Sequence, residues 1–290
     1  MLPQHLALVS TVDGIDSSEL TEVSAALQKQ ATRDLGPIWG IEATIDVFSR
    51  FEDVPVGYWP VVLVEDSPQP GLHKDYNGHP IAYVVAGKTW SLAASHEVLE
   101  MLVDPWGYRT VPGQSPEDAT QRVEFLVEVC DPCQDPDNAY SVNGILVSDF
   151  CTPAYFDPIS APSVRYTFRG KASGPHEVLF GGYLSWREPA SGHWKQMKND
   201  GGILSVRDLG PLSAGPLALR TMIDSMTKGK QDLSRVSKTH PQVMAVSFAS
   251  EERRRTGVQR AARWRKLTEM VCSEHGQRKG HRPKKVYRGK

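Results

Sequence analysis

Across residues 89–103 apolar side chains recur at helical spacing, and the run ends at Asp104-Pro105. No other segment restricts the possible folds as strongly. On a helical wheel Leu92, Val98, Leu99, Leu102 and Val103 share one arc, which must face a core. His96, Glu97, Glu100 and Asp104 share the neighbouring arc. A helix that is buried on one side thus carries four ionisable groups along its edge, and such groups are costly to bury without partners. His96 and Glu100 are four apart, so their side chains reach one point in space. At that spacing a helix can supply two ligands to one metal ion. Glu97 points to one side of the pair, where it would take a proton from water on the metal rather than bind the ion. A solvated charged edge is the bland alternative for the same string.

The flanking pattern favours an ordered fold around this helix. With 40% hydrophobic residues the chain can bury a core. Residues 5–11 read as a strand. Asp16, with Glu19 three residues on, gives a capping-box start. Leu20, Val23, Ala26 and Leu27 then keep helical spacing until Gly36-Pro37. Residues 41–48 alternate like a half-buried strand, and residues 58–64 and 81–85 are more continuously apolar. Pro70-Gly71 and Asn77-Gly78 mark turns. The order predicts an α+β fold, with a mixed sheet packed on an N-terminal helix and on the 89–103 helix. Residues 123–129 and 145–147 read as further strands. The expected organisation is a metal-binding domain at 1–160, a β-rich extension packed on it at 161–210, and a helical or disordered basic region at 211–290.

Two helix ligands leave a metal short of at least one more. The stretch from Glu124 to Cys133 supplies candidates after a loop at residues 107–118. Asp131, before a proline at a strand end, is the first and Glu128 the second. Asp104 competes, but it lies about 12 Å from His96 along the helix axis and could share the ion only if the helix broke. Cys130 and Cys133 form a CxxC with no second pair to complete a zinc site, so they and Cys151 read as buried thiols.

The helix resembles the active-site helix of the zincin metallopeptidases, whose motif is HExxH. His96 and Glu97 match it, and Glu100 stands where the second histidine would be. A longer pattern, HExxE then DP then ExxDxC, is carried by His96, Glu97, Glu100, Asp104, Pro105, Glu128, Asp131 and Cys133. It resembles uncharacterised bacterial and phage-borne proteins over much of residues 1–210 and, more distantly, exordium-like plant proteins. The resemblance implies a zincin-like fold, with His96 as a ligand and Glu97 as general base. It implies no settled activity; the activity expected of the site is metal-dependent hydrolysis, of peptides first, and the alternative is a non-catalytic zincin-like protein that uses its extension and basic tail to bind a partner or nucleic acid. One divalent ion is expected, zinc first, although a carboxylate in place of the imidazole shifts preference toward Mn²⁺ or Ca²⁺. In a zincin the edge strand pairs with a peptide substrate. Residues 81–85 are expected in that place, with Tyr83 and His73 as substrate contacts.

The charge is uneven. Of the 33 Lys+Arg and 34 Asp+Glu, 14 and 4 fall in residues 251–290, so an acidic body precedes a basic end. Arg253, Arg254, Arg255, Lys284 and Lys285 are the expected nucleic-acid contacts there; a solubilising tail is the alternative. No run approaches the roughly 18–20 apolar residues of a membrane span, and the start lacks a secretory pattern. A cytoplasmic protein without a membrane partner is expected.

Overall fold

The computed structural model describes residues 2–67, 69–76, 78–157, 163–212 and 219–227, and Lys266 beyond them. The chain divides into two units, Met1–Thr239 and His240–Lys290, and every described residue except Lys266 lies in the first. Arg253, Arg254, Arg255, Lys284 and Lys285 fall outside the described residues.

The fold is α+β. Strands β1 (Gln4–Ser10), β2 (Ala43–Phe48), β3 (Trp59–Val64), β4 (Gly71–Tyr76) and β5 (His79–Val85) form a sheet in the order β2-β1-β3-β5-β4. The first four in that order run parallel, and β4 is an antiparallel edge. Period-two alternation puts Leu6, Leu8, Val61, Leu63, Ala82 and Val84 on one face. That face packs on α1 (Ser17–Lys29), which continues as a π-helix to Leu35 and then the short α2 (Gly36–Trp39), and on α3 (Trp90–Val103). Val98, Leu99 and Leu102 enter this core from α3, and truncating Leu99 to alanine would cost about 2–5 kcal/mol.

Buried polar bonds fix α3 against its neighbours. Asp16 caps α1 by accepting from the Glu19 N–H at 2.8 Å. The Glu19 carboxylate, instead of closing a capping box, accepts the Trp90 indole N–H at 2.7 Å and ties α1 to the start of α3. Gln30, in the π-helical turn, accepts from the Ser95 hydroxyl at 2.8 Å and donates to the Ser148 carbonyl at 2.8 Å. Ser148 N–H donates back to the Ser95 hydroxyl at 2.9 Å. The residue before His96 is therefore held in a closed network.

The second sheet is antiparallel. Strands β6 (Thr110–Gln114) and β7 (Arg122–Leu126) precede a small hairpin of β8 (Tyr140–Val142) and β9 (Ile145–Val147) and the short α4 (Pro153–Phe156). Then β10 (Tyr183–Arg187), β11 (His193–Asp200) and β12 (Ile203–Pro211) complete the order β12-β11-β10-β7-β6. The strands of the expected 161–210 extension thus share a sheet with β7, through Trp186 opposite Phe125 and Arg187 opposite Glu124. Helix α5 (Leu219–Thr227) packs Ile223 against Leu126, Trp194 and Leu209 of this sheet.

Two strands depart from the sequence reading. β4 has no apolar alternation because it is an edge strand whose inward side chains serve polar neighbours. β6 lies in the segment read as a loop, where Pro112 and Gly113 hide it; an edge position tolerates both. Because β4 exists, residues 81–85 are not the sheet edge: β5 lies between β3 and β4.

Asp149, beyond β9, is buried and accepts from the N–H groups of Phe150 at 2.9 Å and Arg169 at 3.0 Å. Burial outweighs these bonds and raises its carboxyl to about 6. The ordinary value is about 3.9, so the folded chain holds this proton more tightly than the unfolded one. The resulting stability is present below about pH 4 and is lost as the pH rises to about 6. Asp149→Asn should therefore gain on wild type by on the order of 2 kcal/mol more at pH 7 than at pH 4. Urea unfolding at both pH values measures this, and an equal difference at the two would exclude a raised Asp149.

Candidate metal centre

His96 and Glu100 project from α3 toward the turn that follows β7. His96 Nε2 lies 3.2 Å from Glu100 Oε2 and 3.2 Å from Asp131 Oδ1. Two ligand atoms each about 2.0 Å from one tetrahedral ion lie about 3.3 Å apart. Each of the two distances from the imidazole nitrogen is therefore that of a pair of atoms in one coordination shell. The His96 side chain is 12% exposed whereas those of Glu100 and Asp131 are at most 2%, so access runs past the imidazole.

Backbone bonds aim these groups. The N–H groups of Cys130 and Asp131 donate to Glu100 Oε1 at 3.1 and 3.3 Å. They lock the 130–131 turn onto α3 and leave Oε2 facing inward. The 3₁₀ turn Asp131–Cys133 is braced by Leu179, whose N–H donates to the Pro132 carbonyl at 2.9 Å. A Cβ at Gly182 would sit 2.3 Å from that same carbonyl oxygen, so only glycine lets the start of β10 approach the turn.

A second group of side chains adjoins the first through Glu100. His73 on β4 places Nδ1 3.2 Å from Glu97 Oε2, and its Nε2 lies 3.1 Å from the Asp104 carbonyl oxygen. Gly71, two residues earlier on β4, leaves room for Glu97: a Cβ there would lie 2.6 Å from Glu97 Oε1. Arg220 of α5 enters the same space. Its Nη1 is 2.9 Å from Glu128 Oε2 and 3.5 Å from Glu97 Oε2, and it also contacts Glu100 and His73. Its Nε lies 3.3 Å from Asp224 Oδ2. Three sets bring donor atoms within 4.8 Å of one another: Glu100, Glu128 and Asp131; His73, Glu97 and Glu100; and His96, Glu100 and Cys130.

The charges are strongly coupled. Burial pushes the His96 imidazole down, but Glu100 and Asp131 outweigh it and raise it to about 10. Without an ion the ring is thus an imidazolium that clamps two carboxylates. Burial raises Glu97, yet Arg220 and the His73 bond bring it down to about 2. Glu100 is likewise held well below the usual range, by Arg220 and His96 against burial. Glu128 goes the other way: burial, with Glu100 and Asp131 nearby, raises it well above that range despite Arg220. Buried oxygens Glu128 Oε1 and Asp131 Oδ2 have no hydrogen-bond partner, which an ordinary satisfied interior does not leave.

His96, Glu97, Glu100, Glu128 and Asp131 therefore gather in one buried region. Asp104 does not join them: its Oδ2 accepts from the Arg109 N–H at 2.8 Å and closes the end of α3. Two expected substrate contacts are corrected. Tyr83 pairs in register with Leu72, whereas His73 pairs with Ala82, a core residue. Alternation thus puts Tyr83 on the sheet face opposite α3, with Lys74 Nζ 5.1 Å from its ring centre. His73 is wholly buried among the ionised groups and does not line an open cleft. The thiols of Cys130, Cys133 and Cys151 are free, buried and, by that burial, raised above their ordinary value, so they contribute packing rather than ready thiolates.

Arg220 is the member that sequence reasoning missed. Its only local signal is an aspartate, Asp224, one helical turn later, in a stretch of otherwise ambiguous pattern. No family model, no curated protein and no solved structure matches this chain.

The Asp131 turn depends on the close approach at position 182. Gly182→Ala should destabilise the protein by about 1–3 kcal/mol through that overlap. Chemical denaturation measures it, and an unchanged midpoint would show that the turn gives way freely.

Proposed function

We propose that this chain is a divalent-metal-dependent hydrolase of zincin-like architecture acting on peptides. The observation that carries the reading is His96 Nε2 standing 3.2 Å from both Glu100 Oε2 and Asp131 Oδ1. The donor set fits an ion: one imidazole, two carboxylates and the adjoining Glu128, with Glu128 Oε1 and Asp131 Oδ2 buried and lacking hydrogen bonds. The antiparallel edge strand β4 supports a peptide substrate. Among the described residues no strand pairs with its outer side, so an extended chain can add there through backbone hydrogen bonds.

When bound, the ion supplies Lewis acidity to a carbonyl oxygen and to water. The protein's own groups do the rest. His96 releases its proton to offer a lone pair, so binding is linked to pH. Asp131 and Glu100 would hold the ion, and the N–H groups on Glu100 Oε1 keep that carboxylate from turning. Glu97 stays ionised and is the base that receives the proton of the attacking water. Arg220 keeps its proton affinity low, so Glu97 becomes a better base as the guanidinium moves away. Zinc is the first choice, and the oxygen-rich donor set also suits Mn²⁺ or Ca²⁺.

A second reading, a non-catalytic protein with an ion-paired core, is favoured by Arg220 itself, which brings positive charge to the carboxylates without a metal. Metal analysis and a peptide-library digest of the full chain separate the two. Purified protein should carry a divalent ion, and His96→Ala or Asp131→Ala should lose it. Glu97→Gln should keep the ion and lower hydrolysis by about 10²–10⁴-fold. Unchanged turnover in Glu97→Gln, or wild-type protein that takes up no ion, would count against the hydrolase.

A further inference from the structure

The position of Arg220 Nη1 is chemically odd. Four side chains surround this one atom: Glu128 at 2.9 Å, Glu97 at 3.5 Å, and Glu100 and His73 in contact. A guanidinium NH₂ carries only two hydrogens, so it cannot satisfy four acceptors at once. An arginine built to grip carboxylates uses both terminal nitrogens as a fork. Here Nη2 has no hydrogen-bond partner although it is buried. Of the four, His73, Glu97 and Glu100 bring donor atoms within 4.8 Å of one another, a grouping that suits a compact point charge better than a planar fork, and Glu128 adjoins them through Glu100.

The ligand-like atoms are also in place without help from Arg220. His73 is held by the Asp104 carbonyl, Glu97 fits under the gap left by Gly71, and Glu100 is oriented by two backbone N–H groups. Glu128 Oε1 is buried with no hydrogen bond. By contrast Arg220 is brought in by a short helix held by its own N–H on the Gly107 carbonyl at 3.0 Å, by Arg207 on the Met226 carbonyl at 2.8 Å and by Ile223 in the second sheet's core; its Nε bonds Asp224 one turn on in the same helix at 3.3 Å. The receiving groups belong to the first sheet, α3 and the chain after β7; the occupant arrives on α5.

We propose that His73, Glu97, Glu100 and Glu128 form a second divalent-cation position, which Arg220 fills from within and which an ion takes when α5 withdraws. It rests on the reading above, sharing Glu100 and the adjoining Glu128 with the first position, and adds His73 and Glu97. Arginine and ion exclude each other there because both occupy the space around Nη1.

Counting Mn²⁺ ions bound by metal-free full-length protein tests this. Wild type should bind one Mn²⁺, at His96, and Arg220→Met should bind two. Adding His73→Ala to Arg220→Met should return the count to one. Mn²⁺ should also raise the melting temperature of Arg220→Met more than that of wild type, because the ion replaces the missing positive charge. Should Arg220→Met fail to fold even with Mn²⁺, Asp224→Asn decides: it weakens the bond within α5 that orients the Arg220 guanidinium, touches no ligand, and should let wild-type-like protein take a second ion. Equal counts in wild type and in whichever variant folds would overturn the second position and leave the His96 position standing. No ion in wild type and one in Arg220→Met, lost again with His73→Ala, would do the reverse.

Discussion

Four buried carboxylates, Glu97, Glu100, Glu128 and Asp131, converge in the interior, and something positive must meet them. Uncompensated charges of one sign in a low-dielectric interior would unfold a marginally stable domain. The fold answers with a raised His96, a proton on Glu128 and the guanidinium of Arg220. Each of these is also something a divalent ion can replace. Whether the molecule is read as a hydrolase or as an ion-paired scaffold, its organisation follows from this one electrostatic demand.

The scaffold meets the demand with rigid parts. Helix α3 is fastened to α1 through Glu19 and Trp90 and to the hairpin through Ser95, Gln30 and Ser148. The turn at 130–131 is locked onto Glu100 by two backbone N–H groups, and Gly182 lets β10 back that turn closely. Pre-oriented oxygens lose little entropy on meeting a cation, which favours binding. Arg220 alone comes from α5, a different element from those that present the carboxylates, so cation and receptor belong to separate parts of the fold.

Much of the first sheet and of α3 was legible because helix and strand periods are local. The capping aspartate, the apolar arc of α3 and the strands at Leu6, Val61 and Ala82 all write themselves into neighbouring residues. β4 was not legible, because an edge strand carrying His73, Lys74 and Asp75 has no apolar rhythm. That omission misplaced Tyr83, since one strand more or less changes which strand lies at the edge and which residues face the helices. Arg220 was invisible for a related reason: an isolated arginine in a weakly patterned stretch looks like a solvated one.

The sequence by itself determined that His96 and Glu100 sit together, because four residues of helix put any such pair on one side. It also made Asp131 a reasonable third member and the architecture α+β. Only the tertiary structure decided that His73 faces inward from β4, that Asp104 closes a helix end, and that Arg220 reaches the carboxylates. Those outcomes depend on strand register and on which surfaces pack, and these contacts join residues far apart in the chain whose meeting no local period encodes.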